Sequence, residues 1–209
     1  EDQSIVISLS GSDIDGDNLI YSLGEDASSG SVSINGTLAT YTPNQDFNGS
    51  DSFIFSVSDG ELSDEAEVVL TVNPINDAPI INLIADEVID EDTSLTLQLS
   101  ASDVDEDQLT FSATNGDSEI SINGSTLTIT PPANYNGSED VTVTVTDGDL
   151  SDSTTFTLTV NPVNDAPTLD DLANASVDED SSYTLELSGA DIDGDALTFL
   201  ASVDANGSV

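Results

Sequence analysis

Apolar and polar residues alternate along most of the chain. Leu95, Leu97 and Leu99 are separated by Thr96 and Gln98, and threonines separate Val141, Val143 and Val145. Phe156, Leu158 and Val160 follow the same rule, as do Ile5, Ile7 and Leu9, Phe53, Phe55 and Val57, and Val68, Leu70 and Val72. A period of two puts every second side chain on one face of a strand. Ile120 and Ile122 run into Asn123-Gly124, after which Leu127 and Ile129 return; Asn35-Gly36 sits the same way between Ile34 and Leu38. Asn-Gly between alternating runs is a strong hairpin signal. No helical period competes. About seven short strands in roughly 88 residues predict an all-β sandwich.

The strands recur. Asp-x-Asp-x-Asp stands at Asp13/Asp15/Asp17, Asp103/Asp105/Asp107 and Asp191/Asp193/Asp195, intervals of 90 and 88 residues. Asn35, Phe47 and Asp59 return 88 residues later as Asn123, Tyr135 and Asp147. The two extra residues therefore lie between Asp17 and Asn35. A fixed period of this length marks tandem domains. We expect repeat one over 1–79, lacking its first edge strand; a complete repeat two over 80–167; and a partial repeat three over 168–209, which would be disordered, docked or completed by another chain.

Between repeats lies Asn73-Pro74-Ile75-Asn76-Asp77-Ala78-Pro79, and again Asn161-Pro162-Val163-Asn164-Asp165-Ala166-Pro167. Two close prolines fix φ and remove donors, so the segment is neither helix nor central strand. It reads as a stiff extended joint.

Charge changes the picture most. The 209 residues carry a net charge of −42, with no Lys, Arg or His. No cationic side chain can neutralise a carboxylate, and self-repulsion of that size opposes a compact state unless counter-ions relieve it. Nucleic acid is excluded as a partner, since phosphate contacts need Lys or Arg, and anionic membrane surfaces are disfavoured. No apolar run is long enough for membrane insertion. Cysteine is absent, so disulfides and thiolate metal sites are excluded. Catalysis has few parts without His, Lys, Arg or Cys, and the carboxylate clusters repeat at domain period as a structural device would. We expect no enzyme.

Calcium takes six to eight hard oxygens from carboxylates, carbonyls and waters. Aspartate triplets on turns, each facing an Asn-Asp joint, supply such oxygens. An EF-hand loop does not fit: its sixth position would be Asn18, Gln108 or Ala196 and its twelfth Gly24, Thr114 or Ser202. Ca2+ at the joints is the expected cofactor.

The joint resembles the domain-ending Asp-x-Asn-Asp-Asn-Ala-Pro of cadherins. Residues 13–22 resemble the cadherin acidic turn and its following strand, and Val57-Ser58-Asp59-Gly60 a later turn. The whole chain is similar to bacterial cadherin-like tandem repeats of large surface and secreted adhesins. That resemblance implies Ig-like, Greek-key β-sandwich domains in an extended rod, with calcium at the joints. Carried over residue by residue, joint one would use Glu1, Asp46, Asn76 and Asp77 with Asp103, Asp105 and Asp147. Joint two would use Glu91, Asn164 and Asp165 with Asp191 and Asp193. The joint is one residue shorter than the cadherin form and the mid-domain Asp-Arg-Glu motif is absent. Asp46 stands where its Glu would be, but repeat two has Asn134, which implies weaker binding at joint two.

The function so implied is an extracellular structural or adhesion module, at the cell surface or secreted: a calcium-rigidified spacer of a long adhesin or fibre. Two other readings stay open. One is a module that binds a protein or cell-surface glycans. The other is a self-assembling filament in which like repeats of neighbouring chains complete one another.

Overall fold

Residues 1–202 of the computed structural model are described below; they form strands and turns. The chain divides into two units. The first comprises Glu1–Ala78 together with Asp103–Asp107. Its strands are β1 (Ile5–Ser8), β2 (Ile20–Glu25), β3 (Gly30–Asn35), β4 (Leu38–Pro43), β5 (Gly49–Ser58) and β6 (Ser63–Val72). They make two antiparallel sheets, ordered β1-β4-β3 and β2-β5-β6. The β3–β4 hairpin closes at Asn35↔Leu38, with Gly36 at φ 60°, a left-handed turn conformation that glycine adopts without Cβ strain. Alternation sets the inner faces: along β5, Asp51, Phe53 and Phe55 are buried, and the residues between them are half-exposed. Leu9, Val32, Ala39, Tyr41, Phe53 and Phe55 form the core.

The second unit comprises Pro79–Ser102 and the chain from Gln108 onward. It contains β7 (Ile80–Ile81), β8 (Glu87–Asp90), β9 (Leu95–Gln98), β10 (Ala101–Ser102), β11 (Thr110–Thr114), β12 (Glu119–Asn123), β13 (Thr126–Thr130), β14 (Gly137–Thr146) and β15 (Ser151–Asn161). One sheet runs β11-β14-β15-β8, a second β12-β13-β9, and β7 pairs with β10. Strand β8 joins β15 in parallel, Leu158 facing Glu87 and Val160 facing Ile89. Leu127, Ile129, Val141, Val143, Val145 and Leu158 are fully excluded from solvent. Each such side chain contributes about 1.5–3 kcal/mol relative to exposure. The all-β architecture and the hairpins agree with the sequence reading.

The second unit also holds a two-residue ladder, β16 (Thr168–Leu169) on β17 (Gly189–Ala190). Tyr183, Leu185 and Phe199 remain exposed. In the first unit, among the described residues, no strand pairs with the outer edge of β6.

Candidate metal centres

The first centre forms where the start of the chain, the β4–β5 loop, the joint and the turn Asp103–Asp107 meet within the first unit. Glu1 is 8% exposed. The backbone N–H of Ile75 donates to its Oε1 at 2.8 Å, and the Glu1 ammonium donates to the Asn73 carbonyl at 2.8 Å. Asp2 and Asp46 hold left-handed backbones, φ 57° and 58°, and the Asp46 N–H donates to Asp2 Oδ1 at 3.1 Å. Oxygens of Asp2, Asp46 and Asp77 lie within 4.8 Å of one another. The Asp77 N–H donates to Asp105 Oδ2 at 2.8 Å. Asp103 organises its own turn, its Oδ1 accepting from the N–H of Asp105 at 3.0 Å and of Asp107 at 3.3 Å. Oxygens of Asp103, Asp105 and Asp107 also lie within 4.8 Å of one another.

The second unit repeats the plan. Glu91 is 4% exposed and its Oε1 accepts from Val163 N–H at 2.5 Å. Asp165 N–H donates to Asp193 Oδ2 at 2.6 Å, and the Asp193 and Asp195 N–H groups donate to Asp191 Oδ1 at 3.0 Å. Asp92 and Asn134 are left-handed, φ 59° and 56°, joined by Asn134 N–H to Asp92 Oδ1 at 3.0 Å. Oxygens of Glu91, Asp165 and Asp193 lie within 4.8 Å of one another. Asn164 turns its amide nitrogen onto the Asp165 carbonyl at 3.0 Å, as Asn76 does onto Asp77 at 3.2 Å.

Among the described residues, four carboxylate oxygens are buried without a hydrogen-bond partner: Glu1 Oε2, Asp77 Oδ2, Asp103 Oδ2 and Asp165 Oδ2. A buried unsatisfied acceptor costs the desolvation of that group, and more when it is charged. The electrostatics agree. Loss of water, then the charges of Asp46, Asp105, Asp2 and Glu1, push the Asp77 carboxyl above the ordinary carboxylate range. Loss of water, then Asp193, Asp92, Glu91 and Asp191, do the same to Asp165. Nearby like charge disfavours ionisation, and a divalent cation reverses the sign of that interaction.

Of the expected residues, Glu1, Asp46, Asp77, Asp103 and Asp105 gather in the first unit, and Glu91, Asp165, Asp191 and Asp193 in the second. Asp147 lies in the β14–β15 turn, where its Oδ1 accepts from Asp149 and Leu150 N–H at 2.7 Å. The ligand set expected from the sequence did not include Asp2, which stands with Asp46 and Asp77, Asp107, the last member of its triplet, or Asp92, whose charge reaches Asp165. The signal for Asp2 and Asp92 was available: an acidic residue directly after the buried Glu in both repeats.

The family model described as bacterial Ig domain matches residues 1–71 and 76–161. Chitinase A of Pseudoalteromonas piscicida is 34% identical over 174 residues, 80% of this chain and 21% of that protein. The chain thus spans about a fifth of the length of this curated relative. Among solved structures, human Protocadherin-24 EC1-2 superposes with a TM-score of 0.50 at 16% identity, covering 74% of this chain and 86% of that one. An endo-fucoidan hydrolase of glycoside hydrolase family 107 gives 0.34 at 23% identity, over 77% of this chain and 26% of that chain. The likeness to the protocadherin is one of fold.

Proposed function

The chain belongs to the family of bacterial Ig domains, and from that premise we propose that it is a calcium-rigidified tandem-repeat spacer in a long surface or secreted adhesin or fibre. Ig-like and cadherin-like domains suggest an extracellular adhesion or structural module, and such families are typically non-enzymatic. No helix among the described residues is long and apolar enough to cross a membrane. The observation that carries the calcium reading is the set of buried, unpartnered carboxylate oxygens at both centres. These oxygens are hard ligands, already desolvated, and no side-chain cation exists in the chain to meet them. In this reading Glu1, Asp46, Asn76, Asp77, Asp103 and Asp105 serve joint one, with Asp147 from repeat two and with Asp2 and Asp107 added. Glu91, Asn164, Asp165, Asp191 and Asp193 serve joint two, with Asp92 added. The three repeats are 1–79, 80–167 and 168–209. Ion binding ties each joint to the domains beside it and removes bending freedom.

Calorimetric titration with Ca2+, paired with small-angle scattering, tests this. Saturable binding with a longer maximum dimension in calcium is expected. No heat, or identical dimensions with and without the ion, overturns the reading. Joint two is expected to bind more weakly than joint one, because Asn134 offers a neutral amide where Asp46 offers a carboxylate. Asn134→Asp should raise affinity at the weaker site and leave the stronger one unchanged. Equal response at both sites, or at neither, removes Asp46 from the ligand set.

The relation to chitinase A supports a second reading, a non-catalytic spacer within a polysaccharide-degrading enzyme, with or without glycan contact. Pull-down on insoluble chitin tests the glycan contact: retention in EDTA favours a glycan-binding module over a purely structural one.

A further inference from the structure

The chain repeats one dipeptide that ion binding does not use. Among the described residues, Asn-Gly stands at Asn35-Gly36, Asn48-Gly49, Asn115-Gly116, Asn123-Gly124 and Asn136-Gly137. In such a pair the glycine nitrogen lies next to an electrophilic side-chain carbonyl, and no Cβ shields it. The two can react with water as the only co-reactant. The glycine nitrogen bonds to Asn Cγ, the Cγ–Nδ2 bond breaks, and ammonia leaves with the proton of the glycine N–H. Water then opens the five-membered imide at either carbonyl, giving aspartate or its β-linked isomer. Three things decide whether a pair reacts: a free side-chain amide, a free glycine N–H, and a backbone with room for the ring.

The fold sorts the five pairs by those criteria. Asn35-Gly36 and Asn123-Gly124 are exposed hairpin turns, closed by Asn35↔Leu38 and Asn123↔Thr126. No hydrogen bond holds the side chain of Asn35 or Asn123, or the N–H of Gly36 or Gly124. A Cβ built on either glycine would meet nothing within 4 Å, so the ring has space. Asn115 is the opposite case. It is half-buried, and its Nδ2 donates to the Ser118 carbonyl at 3.0 Å and to Glu139 Oε2 at 3.3 Å, so the leaving nitrogen is tied to two acceptors. Gly49 and Gly137 open β5 and β14, held in the ladder opposite Val72 and Val160, with the rings of Phe47 and Tyr135 beside them. We propose that Asn35 and Asn123, one in each unit, are sites of spontaneous amide-to-acid conversion in the folded protein, and that the fold protects Asn48, Asn115 and Asn136. Each event adds a carboxylate to a chain that carries −42 and has no cationic side chain to receive it. The β-linked product also lengthens the turn by one methylene. Thr37 and Ser125, which follow the two glycines, hold the N–H of buried Leu9 and Leu99 through their carbonyls at 2.8 Å. The change therefore reaches the edge of each core.

Neither asparagine belongs to an ion centre, so the proposal stands apart from the calcium reading. The 209-residue chain is incubated at mildly alkaline pH, native and in urea, and peptides from a Glu-directed protease are mapped by mass spectrometry. In the native chain, residues 35 and 123 should turn acidic several-fold faster than 48, 115 and 136, with isoaspartate among the products. In urea the five rates should converge, because the same dipeptide is then free everywhere. Asn123→Gln should abolish conversion at 123 and leave 35 unchanged. Aged native chain should melt below fresh chain, and the variant carrying both Asn35→Gln and Asn123→Gln should lose most of that difference. Equal native rates at all five positions, or a native order that persists in urea, overturn the proposal. So does a native chain in which 35 and 123 stay amides while urea converts them.

Discussion

Chelation with EDTA is expected to lower the melting temperature of the chain by about 10–20 °C relative to saturating calcium. A ligand that binds only the folded state stabilises it by about 2.7 kcal/mol at a hundred times Kd for each site. For a domain of this size, 1 kcal/mol moves Tm by about 4–8 °C. The ion also removes a cost already present, the buried unpartnered oxygens of Glu1, Asp77, Asp103 and Asp165. Differential scanning calorimetry with calcium, with EDTA, and with magnesium at matched ionic strength decides it. Magnesium demands a tight octahedral shell and keeps its waters, so it should restore little. Equal recovery in magnesium or sodium would reduce the effect to charge screening.

Asp77→Asn makes the same argument with a change of sign. In EDTA the substitution should raise the melting temperature, because an amide replaces a carboxylate that Asp46, Asp105, Asp2 and Glu1 repel. The new Nδ2 can also donate to those neighbours. In calcium it should lower the melting temperature, since a charged ligand is gone. A variant that moves stability in the same direction under both conditions would mean that Asp77 does not face the ion.

Much of this arrangement was legible in the sequence because it follows from local rules. Period two gave the strand faces, Asn-Gly gave the hairpins at Gly36 and Gly124, and spacing of the triplets gave the domain period. Glu1 and Glu91 were named through the resemblance to cadherins, which implies an early Glu in each repeat. What spacing cannot supply is backbone conformation at a single residue. Asp2 and Asp92 sit at positive φ, where each holds the N–H of a loop residue more than forty positions away, and Asp2 stands in the cluster with Asp46 and Asp77. Nor does alternation say what a polar residue does on an inward face. Asp51 precedes Phe53 and Phe55 on the buried side of β5, and Glu139 precedes Val141 and Val143 on β14. Both were readable as inward-facing acids; their partners arrive from a loop about 22 residues earlier in the chain.

Those two acids carry the other large expected effect. Asp51 accepts from Ser28 N–H at 3.1 Å, Ser29 N–H and Tyr41 Oη at 3.0 Å, and Ser52 N–H at 2.9 Å. Glu139 accepts from Asp117 N–H at 3.0 Å, Asn115 Nδ2 at 3.3 Å and the Ser118 hydroxyl. Each staples the loop before β3 or β12 onto the long central strand. Burial alone pushes both carboxyls up. The donors outweigh it and leave both below the ordinary carboxylate range, while burial, then Asp51, pushes Tyr41 up to about 12. Asp51→Ala or Glu139→Ala strands several buried donors and should cost about 3–5 kcal/mol in its own unit, leaving the other unit's transition in place. A loss below about 1 kcal/mol in denaturant melts would show that water replaces the carboxylate. The pH dependence follows from opposite shifts. A depressed folded pKa gives stability that is present above the ordinary carboxylate range and lost as pH falls through the folded value, so Asp51 and Glu139 resist acid until they protonate. A raised folded pKa gives the reverse: Asp77 and Asp165 favour the fold when protonated, and that advantage is lost as pH rises through their folded values. In EDTA, stability should therefore peak near the ordinary carboxylate pKa and decline towards neutrality. In calcium the peak should broaden to neutral pH, because the ion holds Asp77 and Asp165 ionised without penalty. A calcium-free profile that rises steadily to pH 7 would show that the joint carboxylates do not repel one another in solution.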